Sequence, residues 1–138
     1  MKPTLFCLLF FILSGFENYQ KQNLYSNSSE IKQIEIRYVD FDIETPIRID
    51  CQIFNYFGKD IKLKKIEDAK TISKILNFLE NANENETKVG IDVRFKMKIK
   101  YNSGKTEEIC GNEAFIGMKN KQYLMDKSFL DCLLKLLK

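Results

Sequence analysis

The sequence predicts an α+β domain: a mostly antiparallel sheet, in the order β-β-α-β-β-(β-β)-α, with two amphipathic helices packed on one face. Three observations carry this reading. Residues 89–101 alternate apolar and charged side chains over thirteen positions and end at a Gly-containing turn. Two stretches, one before this run and one after it, each opened by an Asp, repeat apolar residues at intervals of three and four. The 138 residues are 44% hydrophobic, enough for one core and too few for two domains.

The chain opens on Met1-Lys2 and nine apolar residues, 5–13 (LFCLLFFIL). A nine-residue helix reaches about 14 Å, under half a bilayer core. Residues 1–15 therefore read as a secretory signal peptide, cut near Ser14-Gly15, and not as a transmembrane span. An uncleaved signal-anchor is the competing reading, because Ile12 or Leu13 spoils the small-x-small pattern. Cys7 falls inside the apolar run and not after it, which argues against a lipid anchor. Residues 16–30 (FENYQKQNLYSNSSE) are polar and aperiodic and read as a disordered leader.

The domain is expected over residues 31–138. Residues 31–41 form a first strand, with Ile34, Ile36 and Tyr38 in one phase. Residues 46–54 (PIRIDCQIF) form a second, with Ile47, Ile49, Cys51 and Ile53 alternating against Arg48, Asp50 and Gln52. Gly58-Lys59-Asp60 is a turn ahead of a Lys-rich stretch. Asp68 caps a helix whose face is Ala69, Ile72, Ile75, Leu76 and Leu79, ending near Asn81. After the long strand 89–101, Asn102-Ser103-Gly104 makes a three-residue loop with Tyr101 opposite Lys105. That register sets Met97 against Ile109 and Lys98 against Glu108, at the cost of Ile99 opposite Glu107. Residues 114–118 and 122–125 form a small hairpin around Lys119-Asn120-Lys121. Asp126 caps a final helix with Phe129, Cys132, Leu133 and Leu136 on its apolar stripe.

Composition closes several chemistries. With no His, there is no His-dependent nucleophile system and no His ligand for zinc or haem. No phosphate-cradling Gly-rich motif occurs among six glycines. The net charge of +3 is too mild and too interspersed for a nucleic-acid-binding domain. No cofactor and no metal site is expected. Asp40, Asp42 and Glu44 read as a solvated turn, lacking the pattern of an EF-hand loop.

Four features remain as candidate sites. Arg94, Lys96, Lys98 and Lys100 share the wet phase of the long strand, about 7 Å apart. They read either as a docking stripe for an unknown protein or anionic envelope component, or as a solvated face paired with Glu107 and Glu108. Phe54, Tyr56 and Phe57 form an exposed aromatic patch or cover the end of the core, the second being preferred. Cys51, Cys110 and Cys132 remain after cleavage, and Cys51–Cys110 is the preferred pairing if a bridge forms. Asn27-Ser28-Ser29 and Asn85-Glu86-Thr87 match the glycosylation acceptor pattern.

Residues 68–138, through DAKTISKILNFLE, GIDVRFKMKIKYNSGK, EEIC and KSFLDCLLKLL, resemble short exported proteins of uncharacterised function from Bacteroidetes-type bacteria. The resemblance implies a periplasmic or extracellular location and carries no site residues. The functional expectation is an exported, non-catalytic binding or inhibitor-like module that docks through an open basic sheet face. The alternatives are a small hydrolase working through carboxylates or Tyr, and a structural envelope component that self-associates by a strand edge.

Overall fold

The structure is a computed structural model that describes residues 30–138. The expected signal segment, residues 1–15, lies outside the described residues, as does the expected leader up to residue 29. Glu30 already belongs to the fold: its carbonyl accepts a hydrogen bond from Asn102 N at 2.8 Å.

Six antiparallel strands form one sheet. They are β1 (Ile31–Tyr38), β2 (Lys62–Ile66), β3 (Phe95–Tyr101), β4 (Thr106–Gly111), β5 (Phe115–Met118) and β6 (Lys121–Leu124), in the spatial order β2-β1-β3-β4-β5-β6. Helices α1 (Ala69–Glu80) and α2 (Lys127–Leu137) cover one face. Asp68 Oδ2 accepts from Thr71 N at 2.8 Å, and Asp126 Oδ1 accepts from Phe129 N at 3.1 Å. Each carboxylate thereby satisfies a backbone N–H that the first helical turn leaves open. Behind these caps Ile72, Ile75, Leu76 and Leu79 of α1, and Phe129, Leu133 and Leu137 of α2, are buried against Ile34, Ile36, Met97 and Ile99. The stacked rings of Phe78 and Phe129, 5.1 Å apart, join the two helices. Full burial of each such side chain stabilises the fold by roughly 1.5–3 kcal/mol relative to exposure.

The β3–β4 hairpin has the register read from the sequence, with Met97 opposite Ile109, Lys98 opposite Glu108 and Ile99 opposite Glu107. Tyr101 N donates to Lys105 O at 2.9 Å, and Gly104 takes a φ of 88° that L side chains rarely adopt. The awkward Glu107 is compensated locally. Lys105 Nζ lies 2.7 Å from its carboxylate, and Lys119 Nζ 3.8 Å. Burial, reinforced by the Glu107 charge, pushes the Tyr101 hydroxyl up to about 12. At the β5–β6 turn Lys119 and Asn120 both have positive φ, the form that matches strand twist in a two-residue hairpin loop.

Two expected strands differ. Residues 46–54 are not a strand, although their alternation is regular. Asp50 Oδ1 accepts from Gln52 N at 2.8 Å and Ile53 N at 3.1 Å, which turns the chain into a 3-10 helix (Phe54–Asp60). Ile47 and Ile53 are left exposed, while Ile49 is buried. The strand that pairs with β1 is instead the Lys-rich β2. The long run 89–101 is a strand only from Phe95. Val93 packs in the cluster on the face away from the helices, whereas Phe95 packs on the helix side, so the alternation changes face at Arg94.

The two edges of the sheet are treated differently. On β6, Leu124 N donates to Asn83 O at 2.9 Å and Asn85 N donates to Gln122 O at 2.8 Å. The buried Gln122 amide accepts from Val89 N and donates to Val89 O, fastening residues 83–89 along that edge. The Asn85 side-chain amide donates to Thr87 O and Gln122 Oε1, so the acceptor nitrogen of that glycosylation pattern is engaged. On β2 no such cover exists among the described residues.

A packing test follows from Gly111, where a Cβ would lie 2.7 Å from Phe115 O and 2.7 Å from the Phe95 ring. Gly111→Ala is expected to lower the unfolding free energy by about 1–3 kcal/mol, read from the urea midpoint, because neither neighbour can retreat cheaply. An unchanged midpoint would mean that β3 and β4 are less closely seated than described.

Candidate functional site

The face of the sheet away from the helices is the surface on which the sequence placed its basic stripe. It divides into two halves. Over one half the segment between β1 and β2 crosses back, burying Val39, Ile49, Phe54 and Phe57 against Val93 and Cys110. Cys51 is joined to Cys110 of β4 by a disulfide, with Cα atoms 5.9 Å apart, so the crossing segment is tied to the sheet covalently. Cys132 is a free, half-buried thiol on α2.

Phe54 and Phe57 therefore cover the end of the core and do not form an exposed aromatic patch. Their rings meet edge-on, 5.5 Å apart, and only Tyr56 is exposed. The Arg37 guanidinium lies over Phe54 at 5.8 Å and donates to Asn55 Oδ1 at 2.9 Å. Cation over ring and hydrogen bond together fix the 3-10 helix on the sheet.

Arg94 is withdrawn from the stripe. It is 8% exposed, where Lys98 is 42% exposed at its side chain. Its Nη2 donates to Ile43 O at 3.0 Å and to Asp92 Oδ2 at 2.8 Å, Nη1 donates to Val93 O, and its guanidinium covers the Phe57 ring at 5.8 Å. Asp92 in turn accepts from Ile49 N at 2.8 Å. Burial pushes the Asp92 carboxyl up, but the Arg94 and Ile49 hydrogen bonds and the Arg94 and Arg48 charges outweigh it and hold the group below the usual carboxylate range.

The other half of the face carries Lys96, Lys98 and Lys100, each beside a carboxylate. Lys96 Nζ is 3.0 Å and Lys98 Nζ 3.6 Å from Glu108, and Lys100 is paired with Glu35. The hydrogen bond from Lys100 lowers the Glu35 pKa, and that from Lys96 lowers the Glu108 pKa. The register makes the arrangement regular. Lys65, Glu35, Lys98 and Glu108 stand in one row across β2, β1, β3 and β4, alternating in sign. The stripe is thus one column of a charge lattice in which two carboxylates, Glu35 and Glu108, serve three lysines. The sequence reading named Glu108 as a partner but not Glu35 or Lys65, since both depend on knowing that β2 pairs with β1.

Two hollows border this region. One of about 630 Å³ lies between the end of β1 and the end of α2, lined by Tyr38, Asp40, Asp42, Lys62 and Leu137. Several of its polar groups are already engaged, with Lys62 Nζ 2.6 Å from Asp40 and the Tyr38 hydroxyl donating to Leu137 O at 2.6 Å. The other, about 330 Å³, runs beside the disulfide, between Asp50, Glu108 and Lys119. Among the described residues no three His, Cys, Asp or Glu converge as a metal site, and no helix is long and apolar enough to cross a membrane. No protein-family model, curated protein or solved structure matches the chain.

Two outcomes test this assignment of roles. Asp92→Asn should lower stability at pH 7 by about 1–2 kcal/mol, low in the range for charged hydrogen bonds because Asp92 is partly open to water. A lowered carboxyl pKa stabilises above its unfolded value near 4, and that contribution is lost as pH falls through the folded value. The difference between wild type and Asp92→Asn, followed by urea titration, should therefore be constant above about pH 5 and close in acid. Separately, replacing Cys51 and Cys110 together by Ser should cost up to about 4 kcal/mol on the chain-entropy account. Limited proteolysis of that variant should cut first within residues 42–61, and a wild-type-like cleavage pattern would deny the disulfide its anchoring role.

Proposed function

We infer that the chain is a non-catalytic binding module that works outside the reducing cytosol and engages a macromolecular partner through the uncovered half of its sheet. The observation that carries this reading is the asymmetry of the sheet. One face is sealed by α1 and α2, and the other is only half covered, by a segment held down with a disulfide and two buried or half-buried arginines. The uncovered half is an array of alternating charges on paired strands, a surface that can select a partner by matched charge more than by apolar burial. Location outside the cytosol is supported by the apolar run at residues 5–13 and by the disulfide.

The contact set of this proposal is Lys96, Lys98 and Lys100, with Glu35 and Glu108 between them. Arg94 is left out because its charge is spent inside the fold. Cross-linked pull-down from the producing cell's envelope and medium, with wild type beside the triple variant Lys96→Glu, Lys98→Glu, Lys100→Glu, tests it. A partner recovered by the wild type and lost by the variant at low salt is the expected result. Equal recovery by both would remove the uncovered face as the working surface.

A further inference from the structure

We propose that the free edge of β2 accepts an extended acidic segment of a partner protein as a seventh strand of the sheet. The inference rests on the binding-module reading and names a second contact for it, on the border of the face and not on the face itself. β2 pairs with β1 alone, so alternate residues direct their N–H and C=O groups outward. No backbone group on that side of Lys62–Ile66 has a partner among the described residues. The opposite edge of the sheet is closed by residues 83–89, which leaves β2 as the place where a strand can add.

Charge and shape select the occupant. Three of the five residues of β2 are Lys and none is acidic. Lys62 is matched by Asp40, while Lys64 and Lys65 form no ion pair. Leu63 is 54% exposed on the face that carries Lys65 and Lys98, while Lys62 and Lys64, opposite Tyr38 and Ile36, project to the helix side. An extended segment that alternates acidic and apolar residues would pair its backbone with β2, its acids with Lys64 beside the Asp40-paired Lys62 on the helix side, and an apolar side chain with Leu63 on the other. A second copy of this chain is the poorer occupant, because β2 laid against β2 brings lysines opposite lysines.

The test uses the full-length chain and a fluorescein-labelled Glu-Val-Glu-Val-Glu-Val peptide, followed by fluorescence anisotropy. The same peptide with alternate amides N-methylated is the control, since it keeps the charge and cannot build a ladder. The unmodified peptide should bind, the N-methylated one should not, and added salt should weaken the complex. Lys64→Glu should weaken binding by about fivefold, one ion pair turned to repulsion. Leu63→Ser, which leaves the charge untouched, should weaken it less but measurably. Equal binding of both peptides would reduce the effect to nonspecific charge attraction and overturn the proposal. So would loss of binding in Lys96→Glu with Lys98→Glu but not in the β2 variants, or a mass in sedimentation that rises with concentration through β2. If the peptide fails to bind while the pull-down still recovers a partner sensitive to Lys96, Lys98 and Lys100, only this inference falls. If both experiments are empty, the binding-module reading falls with it.

Discussion

The Arg94 guanidinium is the contact on which the architecture turns. It sits where β3 begins and where the alternation of its chain changes face. Around it the Arg94 carbonyl accepts from Val39 N at 3.0 Å and its N–H donates to Gly111 O at 2.8 Å, joining three neighbouring stretches of backbone. The side chain then holds Ile43 O and Phe57 from the segment that crosses the sheet, and Asp92, which itself accepts from Ile49 N of that segment. A buried cation is tolerable only when paired and hydrogen-bonded, and Arg94 meets both conditions with its planar fork. A Lys there would carry the charge without the fork and would leave some of these acceptors unmet.

From that centre the molecule divides into parts held by different forces. On the helix side the adhesion is apolar, with Ile34, Ile36, Met97 and Ile99 meeting the stripes of α1 and α2. On the far side it is composite: a small apolar cluster, two cation–ring contacts and a covalent bridge. The second cluster has few buried residues, too few for hydrophobic burial alone to restrain a segment of some twenty residues, which explains why polar and covalent ties concentrate there. The rest of that face is a lattice of Lys and Glu in which Lys96 and Lys98 share Glu108 and Lys100 pairs with Glu35.

Much of the fold was legible in the sequence because the signals there are local. Asp68 and Asp126 announce their helices within three residues, and Asn102-Ser103-Gly104 fixes the β3–β4 register through its own loop length. What misled depends on distant partners. Residues 46–54 alternate as a strand would, yet the Asp50 side chain captures the backbone N–H groups that a ladder would need. β2 shows no clear apolar phase, since Leu63 faces outward and only Ile66 is buried, so nothing in its composition marks it as a strand until β1 lies beside it. The stripe was misread at one residue for a related reason: spacing puts Arg94 in phase with Lys96, and only the fold shows that the phase ends there.

The sheet also acts as a partition between sulfur atoms. Cys51 and Cys110 lie on one side of it, in the cluster away from the helices, and Cys132 lies on α2 on the other. Thiolate attack on a disulfide needs direct approach of the third sulfur, and a closed layer of strands stands between them. Before the sheet closes, the three thiols of the described residues can pair in three ways. Once it has closed, one pairing is separated from its only internal competitor among the described residues by the thickness of the backbone layer. The fold therefore protects its cross-link from exchange with Cys132 without requiring that thiol to be buried or chemically inert.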